Sequence, residues 1–219
     1  MEKYFDVLRK CTLFNSIQDS DLIPMLSCLG ARVESFDKKY TVFTEGNPAK
    51  YIGIVLSGSA QITANDFYGN RTIVSSVEPS ELFGEAFACA DLGEIPVTVV
   101  ANEPCEIMLI ECRRILYACS NACGFHQQLI FNLVKDLAAK NIMCYQKIEI
   151  TSKRTTREKL MTYLMLQAKK AKRSSFDIPF DRQELADYLE VERSGLSQEI
   201  GKLTKEGIIR SRKKHFELI

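Results

Sequence analysis

The spacing of hydrophobic residues changes along the chain, and each spacing predicts a different kind of element. Over residues 1–30 apolar positions recur every three or four residues, which predicts helices, with Asp19 or Ser20 capping the second of them. From residue 32 to about residue 111, short apolar runs alternate with polar positions and are separated by turn residues. Many short strands at even spacing predict an antiparallel sandwich or barrel.

Residues 112–150 return to the helical period and contain an apolar seam of coiled-coil type. Its members step by three and four residues: Ile130, Leu133, Leu137, Asn141, Cys144 and Ile148. A seam of this length on a helix that leaves a β domain predicts burial against a second copy of the chain, with Asn141 setting the register. The alternative is that the helix packs on its own domain.

Two capping boxes predict helix starts in the last third of the chain. Thr155 with Glu158 has the required spacing, and Asp181 with Glu184 repeats it. The first box predicts a helix that runs to about residue 171, and the second predicts a short helix that ends in a turn at Glu190. A further short helix and a basic hairpin follow, and this order of elements predicts a winged helix-turn-helix.

The segment VERSGLSQEIGKLTKEG, residues 191–207, keeps one face for polar side chains. Its inner face is formed by Leu196, Ile200 and Leu203, so the outer face is left for solvent or a ligand. We predict DNA contacts there, because Arg and Gln pair bidentately with guanine and adenine while Ser and Lys suit phosphates. The predicted contact residues are Arg193, Ser194, Ser197, Gln198 and Lys202 on the helix, and Arg210, Arg212, Lys213 and Lys214 on the hairpin. The alternative is a solvated polar surface.

The formal net charge of +1 hides an asymmetry. Residues 151–219 hold 16 Lys and Arg against 10 Asp and Glu, whereas residues 1–150 carry a net charge of −5. A basic C-terminal part favours a polyanionic partner, although a solvated surface would look the same. No apolar run is long enough to span a bilayer, and the mixed-charge N-terminus does not resemble a secretory signal. We therefore expect a cytoplasmic protein.

Three segments together carry a family resemblance: GNPAKYIGIVLSGSAQI, ELFGEAFA and FDRQELADYLEVERSGLSQEIGKLTKEGII. From about residue 10 onward the chain resembles the CRP/FNR family of bacterial transcription regulators. The resemblance implies an α+β fold with three parts. These are an antiparallel β-roll (a double-stranded β-helix, or cupin-like jelly roll) with N-terminal helices in residues 1–120, a dimerisation helix in residues 121–150, and a winged helix-turn-helix in residues 151–219.

The same resemblance implies a homodimer that places two recognition helices in successive major grooves, about 34 Å apart, on a two-fold symmetric operator. It assigns base reading to Arg193, Ser194 and Gln198 and a phosphate contact to Arg182. It also implies RNA polymerase as a partner and an effector at the junction of β-roll and long helix. The chain departs from the family at Glu190, where glycine is usual, and at Ser194, where the best-known members have glutamate. Their half-site therefore does not carry over.

Cyclic-nucleotide-binding relatives use a Gly-Glu pair followed by an Arg-Ser pair whose arginine holds the phosphate. Gly84 and Glu85 match the first pair, but Ile95 and Pro96 stand at the second. Ile95 cannot neutralise a phosphate and Pro96 has no N–H to donate, so we predict that the chain does not bind cyclic AMP. The alternatives are a filled core and a pocket for a less charged ligand, with candidate lining residues Glu85, Phe87, Ile95, Thr98, Cys144 and Tyr145.

Eight cysteines are further candidates for chemistry. Oxygen-sensing relatives hold an iron–sulfur cluster on a tight N-terminal cysteine group, but this chain has only Cys11 there, with Cys28 at a distance. Cys112, Cys119 and Cys123 lie closer together and have no obvious fourth ligand nearby. We predict no iron–sulfur cluster. Reduced, inert thiols are the simplest account, and a thiol redox switch is the alternative.

Neither a cofactor nor an enzymatic activity is predicted. His126 and His215 are too isolated for a haem or metal site, no cysteine has a histidine partner in a recognisable motif, and we find no phosphate loop or paired acid site. The predicted function is a homodimeric, sequence-specific DNA-binding transcription regulator under the control of an effector. The alternative is a small-molecule-binding regulatory module that acts through protein contacts rather than DNA.

Overall fold

The computed structural model describes residues 2–65, 71–117 and 124–219, and the chain divides into two compact units. The first unit ends at Ala139 and the second is Lys140–Ile219. The division falls inside one long helix, which begins at Gly124 and ends at Thr151. This is the long helix predicted over residues 121–150, of which residues 121–123 lie outside the described residues.

The first unit contains antiparallel strands and short helices, in agreement with the predicted β-roll. The strands are β1 (Arg32–Phe36), β2 (Thr41–Phe43), β3 (Tyr51–Ser57), β4 (Ala60–Asn65), β5 (Arg71–Val77), β6 (Leu82–Phe83), β7 (Thr98–Ala101) and β8 (Cys105–Glu111). The helices are α1 (Phe5–Leu8), α2 (Asp19–Cys28), α3 (Glu85–Cys89) and α4 (Cys112–Leu116), with 3-10 turns at Glu2–Tyr4 and Thr12–Phe14. The long helix α5 (Gly124–Thr151) begins in this unit and ends in the second. The strands form two sheets in the orders β1-β8-β3-β6 and β2-β7-β4-β5.

Strand β3 is buried on both faces because it separates two apolar cores. One face meets the N-terminal helices through Ile52, Ile54 and Leu56. The other face meets the second sheet through Val55. Since side chains alternate along a strand, burial on both faces produces a nearly continuous apolar run in the sequence. Gly53 is required in this run, because a Cβ atom there would lie 2.1 Å from the ring of Phe83.

The cap that the sequence predicts for the second helix is wrong. Gln18 is the N-cap of α2, and Asp19 and Ser20 are the first residues inside the helix. The Asp19 carboxylate accepts a hydrogen bond from Arg9 Nε at 3.1 Å, and this ion pair lowers the pKa of Asp19. The acidic side chain therefore supports the first turn through its charge rather than by capping.

The first turns of α5 are fixed on the first unit by polar as well as apolar contacts. Asn132 is 4% exposed, and its amide donates to the carbonyl oxygens of Leu13 and Asn15 at 2.8 Å each. Leu129 and Leu133 are buried in the core that also contains the N-terminal helices. Because both N–H groups of this buried amide have acceptors, its burial costs little free energy, and the two hydrogen bonds fix the rotation of the helix about its axis.

The second unit has the architecture of a winged helix-turn-helix, as predicted. After the end of α5 come α6 (Thr156–Ala171), β9 (Ser175–Asp177), α7 (Arg182–Leu189), α8 (Arg193–Lys205), β10 (Ile209–Arg212) and β11 (His215–Leu218). The strands form an antiparallel sheet in the order β10-β11-β9. Both predicted capping boxes are present, at Thr155 with Glu158 and at Asp181 with Glu184. Within the described residues, no helix has the length and apolar character needed to cross a membrane.

Candidate nucleic-acid interface

A tight turn joins α7 to α8 and sets the orientation of α8. The two helices pack through small and apolar side chains, with Ala186, Leu189 and Leu196 fully buried. The backbone N–H of Val191 donates to the carbonyl oxygen of Ala186 at 3.0 Å and closes the turn. Glu190 lies in this turn with a left-handed backbone conformation, at φ 54°, so the predicted turn is confirmed.

The polar face of α8 points to solvent. Leu196, Ile200 and Leu203 are at most 6% exposed, and their burial turns the opposite face outward. The predicted contact residues on that face are all exposed: Arg193, Ser194, Ser197, Gln198 and Lys202. Their contacts with DNA stay a prediction.

The first turn of α8 is suited to an anion. Within the described residues, Arg193 and Ser194 form no hydrogen bond or ion pair through their side chains. The turn contains no acidic residue, and the N-cap Glu192 makes no capping hydrogen bond. Free N–H groups and the helix dipole at this end attract negative charge. Further along the face, Lys202 pairs with Glu199 at 3.4 Å.

Arg182 begins α7 and lies half-buried against the hairpin. Its guanidinium is 5.6 Å from the ring centre of Phe216 and donates to Ser211 Oγ at 3.4 Å. Burial lowers the pKa of this guanidinium, which nevertheless stays charged at neutral pH. Arg182 thus connects α7 to the hairpin, and its predicted phosphate contact remains a prediction.

The basic residues of the hairpin differ in whether their side chains already have a partner within the protein. Arg210 pairs with Glu217 at 3.2 Å, and Lys214 donates to the carbonyl oxygen of Pro179 at 2.6 Å. Arg212 and Lys213 are exposed and, in the part of the chain that is described, have no carboxylate partner. Lys213 lies at the tip with φ 54°. Arg212 and Lys213 are therefore the hairpin cations best placed to meet a phosphate backbone.

Lys147, near the end of α5, contacts the turn and was not predicted from the sequence. Its ammonium donates to the carbonyl oxygen of Tyr188, lies 4.4 Å from the ring centre of Tyr188, and pairs with Glu190 at 3.4 Å. The Tyr188 carbonyl belongs to the last turn of α7, where helical carbonyls have no intrahelical donor. No pattern in the sequence reveals this contact, because Lys147 precedes the turn by some forty residues and occupies an ordinary helical position.

The residues predicted to line an effector pocket have different surroundings. Glu85 and Ile95 are each 4% exposed, and Ile95 packs in the core between the two sheets, so it offers a ligand little surface. The hydroxyl of Thr98 accepts a hydrogen bond from the backbone N–H of Glu45 at 3.3 Å. Phe87 packs against the core between the sheets. Cys144 and Tyr145 are exposed on α5, in the second unit. The pocket stays a prediction.

The cysteines and the histidine that the sequence analysis weighed as metal or cluster ligands, and judged unsuitable, are only partly described. Cys119 and Cys123 lie outside the described residues, and Cys112 is 2% exposed. His126 is also buried, with Nε2 3.1 Å from the carbonyl oxygen of Arg114. No three His, Cys, Asp or Glu side chains converge as metal ligands among residues 2–65, 71–117 and 124–219. The predicted absence of a cofactor is not tested by this arrangement.

The residues of the seam predicted on α5 are partly buried in their own chain and partly exposed, and the pairing of the seam with a second copy stays a prediction. Leu133 is 1% exposed, and Leu137 packs against the core of the first unit, while Ile130 is half-buried. A neighbouring row, the outer row, is exposed instead and contains Phe131, Val134, Ala138, Asn141, Tyr145 and Ile148. It follows a strict seven-residue repeat and shares Asn141 and Ile148 with the predicted seam. Cys144, the remaining seam residue, is exposed.

An antiparallel β-roll, a long helix and a winged helix-turn-helix with an outward polar face define a DNA-binding regulator. Two family models match the chain in this order: the cyclic nucleotide-binding domain over residues 33–121 and the Crp-like helix-turn-helix domain over residues 158–219. The chain belongs to the CRP/FNR family of transcription regulators.

Individual relatives are distant. The chain is 24% identical over 191 residues to the transcriptional activator protein FnrL of Cereibacter sphaeroides, covering 80% of this chain and 71% of FnrL. It shares its fold with the regulator CLP of Xanthomonas campestris, at 18% identity and TM-score 0.58 over 91% of this chain and 99% of CLP. It also shares its fold with the catabolite activator protein of Thermus thermophilus, at 19% identity and TM-score 0.51 over 95% of this chain and 93% of that protein.

Proposed function

We propose that the protein is a homodimer that reads a specific DNA sequence through α8 and is controlled by a signal received by the β-roll. The main observation in support is the polar face of α8, which contains Arg193, Ser194, Ser197 and Gln198. This face is exposed while the opposite face is buried. Arg193 and Gln198 can pair bidentately with base edges, and Ser194 and Ser197 suit phosphates. We infer that it acts in the cytoplasm, where bacterial DNA and RNA polymerase are found.

The outer row of α5 supports the homodimer. Phe131, Val134, Tyr145 and Ile148 are each about 60% exposed, and such a continuous apolar row is rarely left in water. Its seven-residue repeat is the one that packs two helices side by side, with Asn141 as the polar position that sets register. Pairing along this row would give the two copies of α8 the two-fold symmetry of an operator.

We infer that the effector is not cyclic AMP. Ile95 stands where a phosphate-binding arginine would be needed, and it is buried in an apolar core. Whatever signal the β-roll receives must bind one dimer state more tightly than another, because only a differential affinity shifts the equilibrium. Which state fits the operator decides whether the effector promotes or prevents DNA binding.

The proposal is tested by selecting bound duplexes from a random DNA pool with the purified, reduced chain. We expect enrichment of a two-fold symmetric site whose half-sites lie about one helical turn apart. The control is the Arg193→Ala/Gln198→Ala double variant, which keeps the buried face of α8 intact and should enrich no such site. If the unaltered chain enriches no symmetric site, with or without cell extract, the DNA-reading proposal is wrong and a module acting through protein contacts is favoured.

A further inference from the structure

Two thiols that DNA binding does not use lie side by side in the first unit. Cys89 ends α3, Cys112 begins α4, and their Sγ atoms are 3.4 Å apart, although 23 residues separate them in sequence. The position of Cys112 is fixed, because its backbone N–H donates to the carbonyl oxygen of Lys50 at 2.9 Å. The fold thus holds two sulfurs in contact without a disulfide.

The two sulfurs have unequal access to solvent. Cys112 is 2% exposed, whereas Cys89 is half-buried. Both border a cavity of about 500 Å³ whose charged lining residues are Lys50, Arg113, Asp91 and Glu111. The hydrogen bond between the two sulfurs lowers the pKa of Cys89 and raises that of Cys112, and burial raises the pKa of Cys112 further. The more accessible sulfur therefore has the greater thiolate character, and the thiolate is the reactive form.

We propose that Cys89 and Cys112 form a hydroperoxide-reactive modification site, with Cys89 as the attacked thiol and Cys112 as the resolving thiol. The Cys89 thiolate attacks one peroxide oxygen, so the O–O bond breaks, Cys89 becomes a sulfenic acid, and an alkoxide or hydroxide leaves with the electron pair. The Cys112 sulfur then attacks the sulfenic sulfur, an S–S bond forms, and the hydroxyl leaves as water with the Cys112 proton. The two sulfurs together lose two electrons, and the peroxide gains them.

Three further cysteines, Cys28, Cys105 and Cys144, differ from this pair. Burial raises the pKa of the Cys105 thiol, which makes it a poor nucleophile. Cys28 and Cys144 are exposed, but within the described residues neither has a second sulfur in contact. Because Cys89 belongs to the same short helix as Glu85 and Phe87, a disulfide would tie the segment predicted to bind an effector to the start of α4. The site goes beyond the proposed DNA-binding function and does not depend on it.

The test treats the fully reduced, full-length chain with hydrogen peroxide, blocks remaining thiols by alkylation and measures mass. No Lys or Arg lies between residues 72 and 112, so trypsin alone leaves both cysteines in one peptide. Combined cleavage after glutamate and after basic residues isolates Cys89 in residues 86–94 and Cys112 in residues 112–113. We expect these two fragments to be linked, with a loss of about 2 Da from the intact chain.

Matched variants decide the roles of the two sulfurs. In the Cys112→Ala variant, oxidation should stop at the sulfenic acid of Cys89, with a mass gain of about 16 Da. A reagent that traps sulfenic acids should then label residues 86–94. Cys89→Ala should leave Cys112 reduced, and Cys28→Ser should behave as the unaltered chain. A disulfide between other cysteines, or a Cys89 that stays reduced while Cys28 oxidises, would overturn the proposal. The linked fragments in the unaltered chain are informative even if a variant fails to fold.

Discussion

Glu190 is a non-glycine residue at a positive φ, and its neighbours compensate for that conformation. A left-handed backbone costs a residue with a Cβ about 1 kcal/mol relative to glycine. The ion pair with Lys147 is partly exposed and offsets roughly 0–1 kcal/mol of this cost. A second lysine, Lys159, donates to the Glu190 carbonyl oxygen at 3.3 Å. We infer that glutamate is tolerated in the turn because α5 and α6 each direct a cation to it.

We predict that Lys147→Met lowers the free energy of unfolding by about 1–2 kcal/mol, because it removes a charge-assisted hydrogen bond to the Tyr188 carbonyl and keeps the aliphatic stem. Urea unfolding checks this, with Lys153→Met as the matched control on an exposed lysine that only removes a charge. Equal midpoints for the two variants would show that the contact at the end of α7 contributes nothing measurable.

Arg193 and Lys213 are both exposed cations, but they should affect DNA binding differently. Arg193→Ala should cost about 1–3 kcal/mol on the selected operator and relax base preference, because a bidentate base contact is lost. Lys213→Ala should weaken binding to all sequences and reduce the salt slope of log K by about one, because one phosphate contact is lost. Fluorescence anisotropy on operator and random duplexes at several salt concentrations separates the two. Equal losses on both duplexes for Arg193→Ala would contradict base reading.

Helix α8 contains two glycines that its own fold does not require. A Cβ atom on Gly195 or on Gly201 would meet nothing within 4 Å, and neither residue has a positive φ. We predict that Gly195→Ala and Gly201→Ala each raise the free energy of unfolding by about 0.5–1 kcal/mol, since glycine is a poor helix former. Gly53→Ala is the contrasting control and should destabilise, because its Cβ would collide with Phe83. Destabilisation by Gly195→Ala or Gly201→Ala, measured in urea, would contradict the prediction.

Elements specified by local signals were predicted well, and elements specified by tertiary contacts were not. The signals of the winged helix-turn-helix are local: each capping box, and the buried face of α8, involves residues only a few positions apart. The sequence alone therefore predicts this part of the fold. On α5 two apolar rows lie side by side, and spacing alone cannot tell which one the first unit covers. Asn132 decides it by bonding to Leu13 and Asn15, more than a hundred residues away. The contact between Cys89 and Cys112 is equally non-local.

At the scale of the whole molecule, the outer row of α5 is an apolar surface that a single chain leaves exposed. Its apolar side chains are exposed, whereas the neighbouring row containing Leu133 is already covered by the first unit. If one recognition helix contacts one half-site, as proposed, pairing two chains makes the contact with the second half-site intramolecular and so raises the affinity for the operator. Dimer formation and tight operator binding should therefore be lost together.

We predict that Val134→Glu converts the proposed dimer into a 24.8 kDa monomer, because it places a charge within the apolar row. Met143→Glu is the matched control: Met143 is 66% exposed and Val134 58%, but Met143 lies on the other side of α5. Sedimentation should show a shift for Val134→Glu alone, with operator affinity falling in the same variant while circular dichroism stays unchanged. A dimer that survives Val134→Glu but dissociates with Met143→Glu would place the interface on the opposite face. If both variants stay dimeric, the proposal that α5 forms the dimer interface is wrong.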